Sequence, residues 1–234
     1  SGRVIVTSKS PMTGLYGESS IGGSWGPELK YAGYDHIVIE GRSEKPVYVW
    51  IKNGDVEIRD AKHVWGKDTF ETQKLVNEEL GDQEIKVMCI GPGGENLVRF
   101  ACIKTELKHT AGRPGLGAVM GSKRLKAIAV RGTKGISVAK PEKLLEISEK
   151  ASKVIRDSPL YTWGTTAGFN VRGEDAPTYI ETAGVKNFSG RYSISHKWKD
   201  FIKKISLEYG TKFVGCYGCP MPCTLMVRFP GLPS

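Results

Sequence analysis

The stretch Lys45-Pro46-Val47-Tyr48-Val49-Trp50-Ile51-Lys52-Asn53-Gly54-Asp55-Val56-Glu57-Ile58-Arg59-Asp60-Ala61 decides how the first half of the chain is read. β-Branched and aromatic residues fill Pro46 to Lys52, the composition of a strand. Asn53-Gly54 is the two-residue pair favoured in tight hairpins, whose central positions need positive φ. Val56 to Asp60 alternates apolar and charged residues as the returning strand. Working outward, Val4-Ile5-Val6-Thr7 and His36-Ile37-Val38-Ile39-Glu40 read as further strands, the first bounded by Gly2 and the turn Ser10-Pro11. On the other side, Asp68 to Leu80 predicts a helix. Asp68 and Glu71 form a capping box, Thr72, Val76 and Leu80 share a face, and Gly81 stops it. Ile85 to Ile90 is a strand ending at Gly91-Pro92-Gly93-Gly94. Val98 to Lys104 reads as extended, Gly112 to Gly121 as a glycine-rich loop leading into a short helix, and Leu125 to Val130 as the last strand of this half.

The character then changes. Thr133-Lys134-Gly135 reads as a linker and Ile136 to Val138 as a short extended exit. Pro141 opens a helix in which Leu144, Leu145, Ser148, Ala151, Val154 and Ile155 recur at helical spacing. Ser158 to Ser195 carries no clear pattern, and Lys197 to Leu207 reads as helical. The fold class is therefore α+β: a β-rich amino-terminal domain over residues 1–135, followed over 136–234 by the beginning of an all-α domain.

The chain has 234 residues, 39% of them hydrophobic, as in a soluble globular protein, and no apolar run approaches the ~20 residues that span a bilayer. The start, SGRVIVTSKSPMTG, lacks the apolar core of a signal peptide and an initiator Met, so a fragment of a longer protein is expected. The net charge of +9 comes from 34 basic residues interleaved with 25 acidic ones, without like-charge blocks or basic-aromatic interleaving. That argues against nucleic acid as a partner and is compatible with a phosphate-rich cofactor. Five cysteines, three crowded near the end, do not make an evenly spaced disulfide framework; clustered thiols point to metal and a reducing compartment, the cytoplasm.

Those three, Cys216, Cys219 and Cys223, form C-x2-C-x3-C within Gly-Cys-Tyr-Gly-Cys-Pro-Met-Pro-Cys. Thiolates at this spacing, with Gly215 and Gly218 allowing tight turns, can wrap one soft metal. Structural zinc needs a fourth local Cys or His, and none follows in the remaining eleven residues. Radical enzymes that cleave S-adenosylmethionine use the reverse spacing. A [4Fe-4S] cluster is thus favoured over zinc or a structural thiol group, with its fourth ligand expected beyond Ser234. Cys89 and Cys102 lie in strand patterns and read as buried apolar residues.

Two glycine-rich segments stand out, Ser19-Ser20-Ile21-Gly22-Gly23-Ser24-Trp25-Gly26 and Ala111-Gly112-Arg113-Pro114-Gly115-Leu116-Gly117-Ala118-Val119-Met120-Gly121. Glycines let backbone amides approach an anion, although each segment could equally be a packing turn. Neither matches a P-loop or a dinucleotide fingerprint. Arg113 beside the second, and Arg3 at the head of a strand, favour an anion. Trp25, Trp50 and Trp65 read as packing anchors; His36, His63 and His196 share no ligand spacing. Glu28 and Lys30 are candidates to pair with each other, and Glu95-Asn96 is read as closing a turn.

Taken in order, SGRVIVTSKSPMTG, GGSWGPELKYAGYD, KPVYVWIKNGDVEIRDA, IGPGGEN, AGRPGLGAVMGSKRLKAIAVRGTK and the cysteine trio resemble the aldehyde:ferredoxin oxidoreductase family, over residues 1 to 140 and again from about 209. The resemblance implies that 1–135 is a pterin-cofactor-binding domain and that 136–234 starts the helical domain carrying the iron–sulfur cysteines. It implies a tungsten (or molybdenum) bis-pterin, magnesium bridging the pterin phosphates, and a [4Fe-4S] cluster held in part by Cys216, Cys219 and Cys223. Arg3 matches the arginine lying between cluster and pterin. Ser20 and Gly22 match cofactor contacts in the first glycine segment, where many relatives have Asn for Ser20. His109, Thr110, Gly112 and Arg113 match the second pterin-contacting stretch, where relatives often have Arg-Ala for His109-Thr110. The implied activity is oxidation of aldehydes to carboxylic acids, with electrons passed through the cluster to ferredoxin or an electron-transfer subunit, in an oligomeric or heteromeric protein. A tungsten aryl-CoA reductase catalytic subunit is the alternative, and a zinc-stabilised basic binding module without catalysis a second. No acid–base residue is assigned; these are expected from the helical domains.

Overall fold

The computed structural model describes residues 2–106, 108–158, 204–205 and 207–231. It divides into two compact units, Ser1–Ser137 and Val138–Ser234.

The first unit is built on a six-stranded mixed sheet. The Asn53-Gly54 turn forms as expected, with φ of +50° and +104°, and joins β3 (Val47–Lys52) to β4 (Asp55–Asp60) in register from Val47↔Asp60 to Lys52↔Asp55. The remaining strands are β5 (Lys86–Cys89), β6 (Ile103–Thr105), β7 (His109–Ala111) and β8 (Leu125–Arg131), in the order β4-β3-β8-β5-β6-β7. Only the β3–β8 pair is parallel. Successive residues point to opposite faces of a strand, so the sheet separates two cores. On one face Val47, Val49, Ile51, Met88, Ile128 and Val130 gather with Ile21, Trp25, Leu29, Leu116 and Met120. On the other, Tyr48, Trp50, Val87, Cys89, Ala127 and Ala129 meet Val64, Val76 and Leu80. β8 is central and buried on both sides, which is why it lacks polar alternation.

The first core is covered by α1 (Trp25–Tyr31), α4 (Leu116–Ser122) and a separate hairpin of β1 (Val4–Lys9) and β2 (Tyr16–Ile21). Trp25 anchors it: its ring is 3% exposed and its Nε1–H donates to Ile128 O at 2.9 Å. Burying a side chain of this size contributes upwards of ~1.5 kcal/mol. The second core is covered by α2 (Thr69–Leu80), capped by Asp68, whose carboxylate accepts from the Phe70 and Glu71 amides at 2.7 and 2.9 Å, and ended by Gly81 at φ +71°. Gly94 lies on α3 (Pro92–Glu95) and Gly121 on α4, and a Cβ at Gly121 would stand 1.9 Å from Gly94 O. The second glycine-rich segment is therefore in part a close-packing device.

Several expectations need correction. His36 to Glu40 is not a strand: Ile37 and Ile39 pack partly against the first core, but the segment joins no ladder. Strand structure after Val98 begins only at Ile103, because α3 and its turns occupy the preceding residues. Glu28 and Lys30 do not pair. Glu28 binds Arg131 Nη1 and the Gly132 amide, both at 2.9 Å, while Lys30 binds Asp35 at 2.5 Å. Glu95 does more than close a turn: both its oxygens accept from the Gly66 amide, and one pairs with the fully buried Lys126.

The second unit contains α5 (Pro141–Asp157), none of whose residues is buried, and an antiparallel hairpin of β9 (Gly210–Val214) and β10 (Thr224–Val227). Lys204, Ile205 and Leu207 to Tyr209 are helical or lead into β9. His196 and most of the unassigned stretch lie outside the described residues. No helix among the described residues is long and apolar enough to cross a membrane.

Candidate functional site

The two glycine segments, 85 or more residues apart, come together in the first unit because β2 lies against β7. Arg3 precedes β1, and its Nη1–H donates to Ser20 Oγ on β2 at 2.9 Å. An oxygen that accepts from a guanidinium keeps its own O–H to donate elsewhere. The neighbouring Ser19 Oγ accepts from the Arg113 amide at 3.5 Å. Ser20, Thr110, Gly112 and Arg113 are exposed, and Gly22 is half-buried. All seven expected cofactor residues thus lie at the entry to or on the β1–β2 hairpin, in the turn after it, and on β7 with its exit.

The turn after β2 is pressed onto β7. Gly23 has φ +100°, and a Cβ there would stand 2.8 Å from His109 Cδ2 and 2.9 Å from Glu106 Oε1, so only glycine fits. Glu106 was not anticipated from sequence. Its Oε1 accepts from the Ser24 amide at 2.5 Å, and its Oε2 stands 3.7 Å from His109 Nε2. It occupies φ +53°, and its carbonyl accepts from Gln73 Nε2 at 3.3 Å. An acidic residue in Lys-Thr-Glu-Leu-Lys-His gives no sequence signal of such a role, because the amide it accepts from, Ser24, is 82 residues away.

His109 Nε2 is buried and makes no hydrogen bond among the described residues. Burial pulls the ring's pKa below its ordinary 6.5; Glu106 opposes this, while Lys108 and Arg3 add to it. The imidazole is therefore neutral near pH 7. An orphaned buried ring nitrogen, an outward serine hydroxyl, two arginines and exposed amides beside glycines form a donor set suited to a phosphate-bearing group.

In the second unit, Cys216, Cys219 and Cys223 lie in the loop joining β9 to β10. Val214 and Thr224 pair across its neck, which places Cys223 beside the closing strand pair. The Cys219 amide donates to Cys216 O at 3.1 Å and its thiol to Met221 O at 3.5 Å; Cys219 is exposed and the other two half-buried. The thiol chemistry suits iron or zinc. Among the described residues, however, no three His, Cys, Asp or Glu side chains converge as a ligand set. Cys89 lies apart from these, on β5 in the second core, where burial pushes its thiol up to about 12.

A cleft of about 490 Å³ opens elsewhere, at the β4 edge of the sheet, lined by Arg59, Asp60, His63 and Glu79. Its charges are mutually engaged: Glu79 meets His63 Nε2 at 3.0 Å, Arg59 Nη1 at 3.8 Å and the Tyr48 hydroxyl at 2.7 Å. We assign it no chemistry.

Comparison with known proteins gives the following. The family described as aldehyde ferredoxin oxidoreductase, N-terminal domain, matches residues 1–132. The chain is 42% identical to the tungsten-containing aldehyde ferredoxin oxidoreductase of Pyrococcus furiosus, over 98% of this chain and 38% of that protein. It is 35% identical to the aliphatic sulfonate oxidoreductase WOR-like subunit of the same organism, over 94% and 37%. Among solved structures, it resembles the active-site complex BamBC of benzoyl coenzyme A reductase with 1,5-dienoyl-CoA, at TM-score 0.82 and 36% identity, over 99% of this chain and 37% of that one. The chain thus spans less than two fifths of the length of these relatives.

Proposed function

We propose, from the premise that this chain belongs to the aldehyde ferredoxin oxidoreductase family, that it supplies the phosphate-binding part of a tungsten (or molybdenum) bis-pterin oxidoreductase. The observation that carries this reading is the meeting of both glycine segments around Arg3, Ser20 and the unsatisfied His109 Nε2.

In this reading the Ser20 hydroxyl, oriented by Arg3, would help hold a phosphate of the cofactor. The exposed Arg113 guanidinium and amides near Gly22, Thr110 and Gly112 add further donors. His109 contributes a neutral ring rather than a fixed charge, so Arg3 and Arg113 supply the positive potential. Magnesium, if bound there, would neutralise the remaining phosphate charge. The pterin-bound metal, when present, supplies two-electron redox chemistry. Cys216, Cys219 and Cys223 are proposed ligands of a [4Fe-4S] cluster, drawn into one set when iron binds. Residues 1–135 would be the pterin domain and 136–234 the start of the helical domain.

For the full-length protein we favour oxidation of aldehydes to carboxylic acids, in the cytoplasm of an anaerobe, with electrons passing to ferredoxin or a partner subunit. The identity to a tungsten-containing aldehyde ferredoxin oxidoreductase supports it. Aryl-CoA reduction is a second reading, favoured by the likeness to the benzoyl coenzyme A reductase complex. Metal analysis of the anaerobically purified full-length protein tests the class. Tungsten or molybdenum with about four irons per chain is expected; zinc alone would overturn the reading in favour of a non-catalytic module. Aldehyde-dependent dye reduction against aryl-CoA turnover then separates the two reactions.

A further inference from the structure

We propose that Glu106, in the turn that leads into β7, is a clamp that holds the first glycine segment against that strand: one carboxylate oxygen accepts from the Ser24 amide and the other faces the His109 ring without a hydrogen bond. This rests on the cofactor reading above and adds a residue to it. The Ser24 amide donates to Oε1 at 2.5 Å, and Oε2 faces the His109 ring at 3.7 Å, so one side chain spans the gap between α1's entry and β7. The backbone carrying it is fixed from a third element: Gln73 on α2 donates to Glu106 O. A left-handed φ at a residue other than glycine is disfavoured, so these contacts hold Glu106 in a conformation its sequence neighbours alone do not favour. Gly23 leaves the space the carboxylate occupies. Releasing the clamp frees the turn Gly22–Ser24 to move off β7, which separates the donors on β2 from those after β7. Glu106 touches no reacting group in this account; it acts through the turn.

Reach and charge are separable by substitution. Glu106→Asp keeps the charge but withdraws the carboxylate by one C–C bond, about 1.5 Å, beyond hydrogen-bond distance of Ser24. Glu106→Gln keeps an acceptor oxygen at full reach. The full-length protein is purified anaerobically in all three forms. Tungsten content and amide hydrogen exchange of peptides covering 21–25 are then measured, with β3 and β8 peptides as internal controls. For Glu106→Asp, losing a charged hydrogen bond predicts exchange at 21–25 faster by about ten-fold and clearly reduced tungsten. Glu106→Gln, which offers a neutral acceptor at the same reach, should fall nearer wild type than Glu106→Asp in both, and the β3 and β8 peptides should be unchanged throughout. Wild-type exchange and loading in Glu106→Asp, or equal losses in Glu106→Gln, overturns the clamp. A wild-type protein without tungsten instead sinks the cofactor reading, and the exchange comparison still decides the clamp.

Discussion

The Glu28 carboxylate ties the first helix to the end of the central strand: its Oε1 accepts from Arg131 Nη1 and from the Gly132 amide, each at 2.9 Å. Asp82 takes Arg131 Nε at 2.7 Å from the other side. Glu28 is 12% exposed and Arg131 25%, so water competes little.

Removing Glu28 therefore has a larger effect than removing Lys30 two residues on, whose partner Asp35 is well exposed. Glu28→Ala is expected to cost about 2 kcal/mol, for loss of a charged hydrogen bond and an orphaned amide. Lys30→Ala should leave the unfolding midpoint near wild type. Denaturant titration of both variants checks the difference, and equal midpoints would contradict the assignment.

Lys126 presents a harsher case. It is fully buried on β8, pairs with Glu95, and donates to Lys67 O at 2.8 Å. Lys126→Ala leaves a carboxylate that is 5% exposed without its counter-charge, which costs about 3–5 kcal/mol. For a unit of this size the thermal midpoint should fall by more than about 6 °C. A shift within about one degree would mean that the Gly66 amide alone satisfies Glu95.

These two residues also mark what the sequence could and could not disclose. Asn53-Gly54, Asp68 and Gly81 were legible because each acts on its own neighbours. Glu28, Lys126 and Glu106 were not, because their hydrogen-bond partners Arg131 and Gly132, Glu95 and Lys67, and Ser24 lie 31 to 104 residues away. His36 to Glu40 read as a strand from its β-branched residues; Ile37 and Ile39 do pack partly against the first core, but period-two burial does not require a ladder. β2 was missed for the converse reason. Tyr-Gly-Glu-Ser-Ser-Ile has weak strand character and is held extended by pairing with β1. Of the candidate site, the glycines and cysteines were legible as residue types, whereas the meeting of the two segments depends on tertiary structure.

His109 predicts a pH dependence of defined sign. Burial lowers its pKa in the folded chain below the ordinary 6.5. The unfolded chain therefore takes up the proton first as pH falls, and folded stability declines from about pH 6.5 down through the folded pKa. Above that window both states are neutral at this site and the contribution is fully present. Replacing His109 by Asn should flatten the acid side of a stability–pH curve measured between about pH 5 and 8. An unchanged slope would place the titration on another group.

The cysteines should separate by reactivity in protein stripped of iron. Alkylation requires the thiolate, and its rate follows exposure and pKa together. Cys89 is fully buried, with its thiol pushed up to about 12 and placed 3.6 Å from Thr69 O. Cys219 is exposed at the tip of the β9–β10 loop. Iodoacetamide at pH 8 should label Cys219 readily and leave Cys89 unlabelled until the sheet unfolds, as read by peptide mass spectrometry. In iron-loaded full-length protein, cluster ligation should protect Cys216, Cys219 and Cys223 together, and Cys219→Ser should remove the cluster's visible absorbance. Labelling of Cys219 at the same rate with and without iron would falsify its role as a ligand, and would return the trio to a structural thiol group.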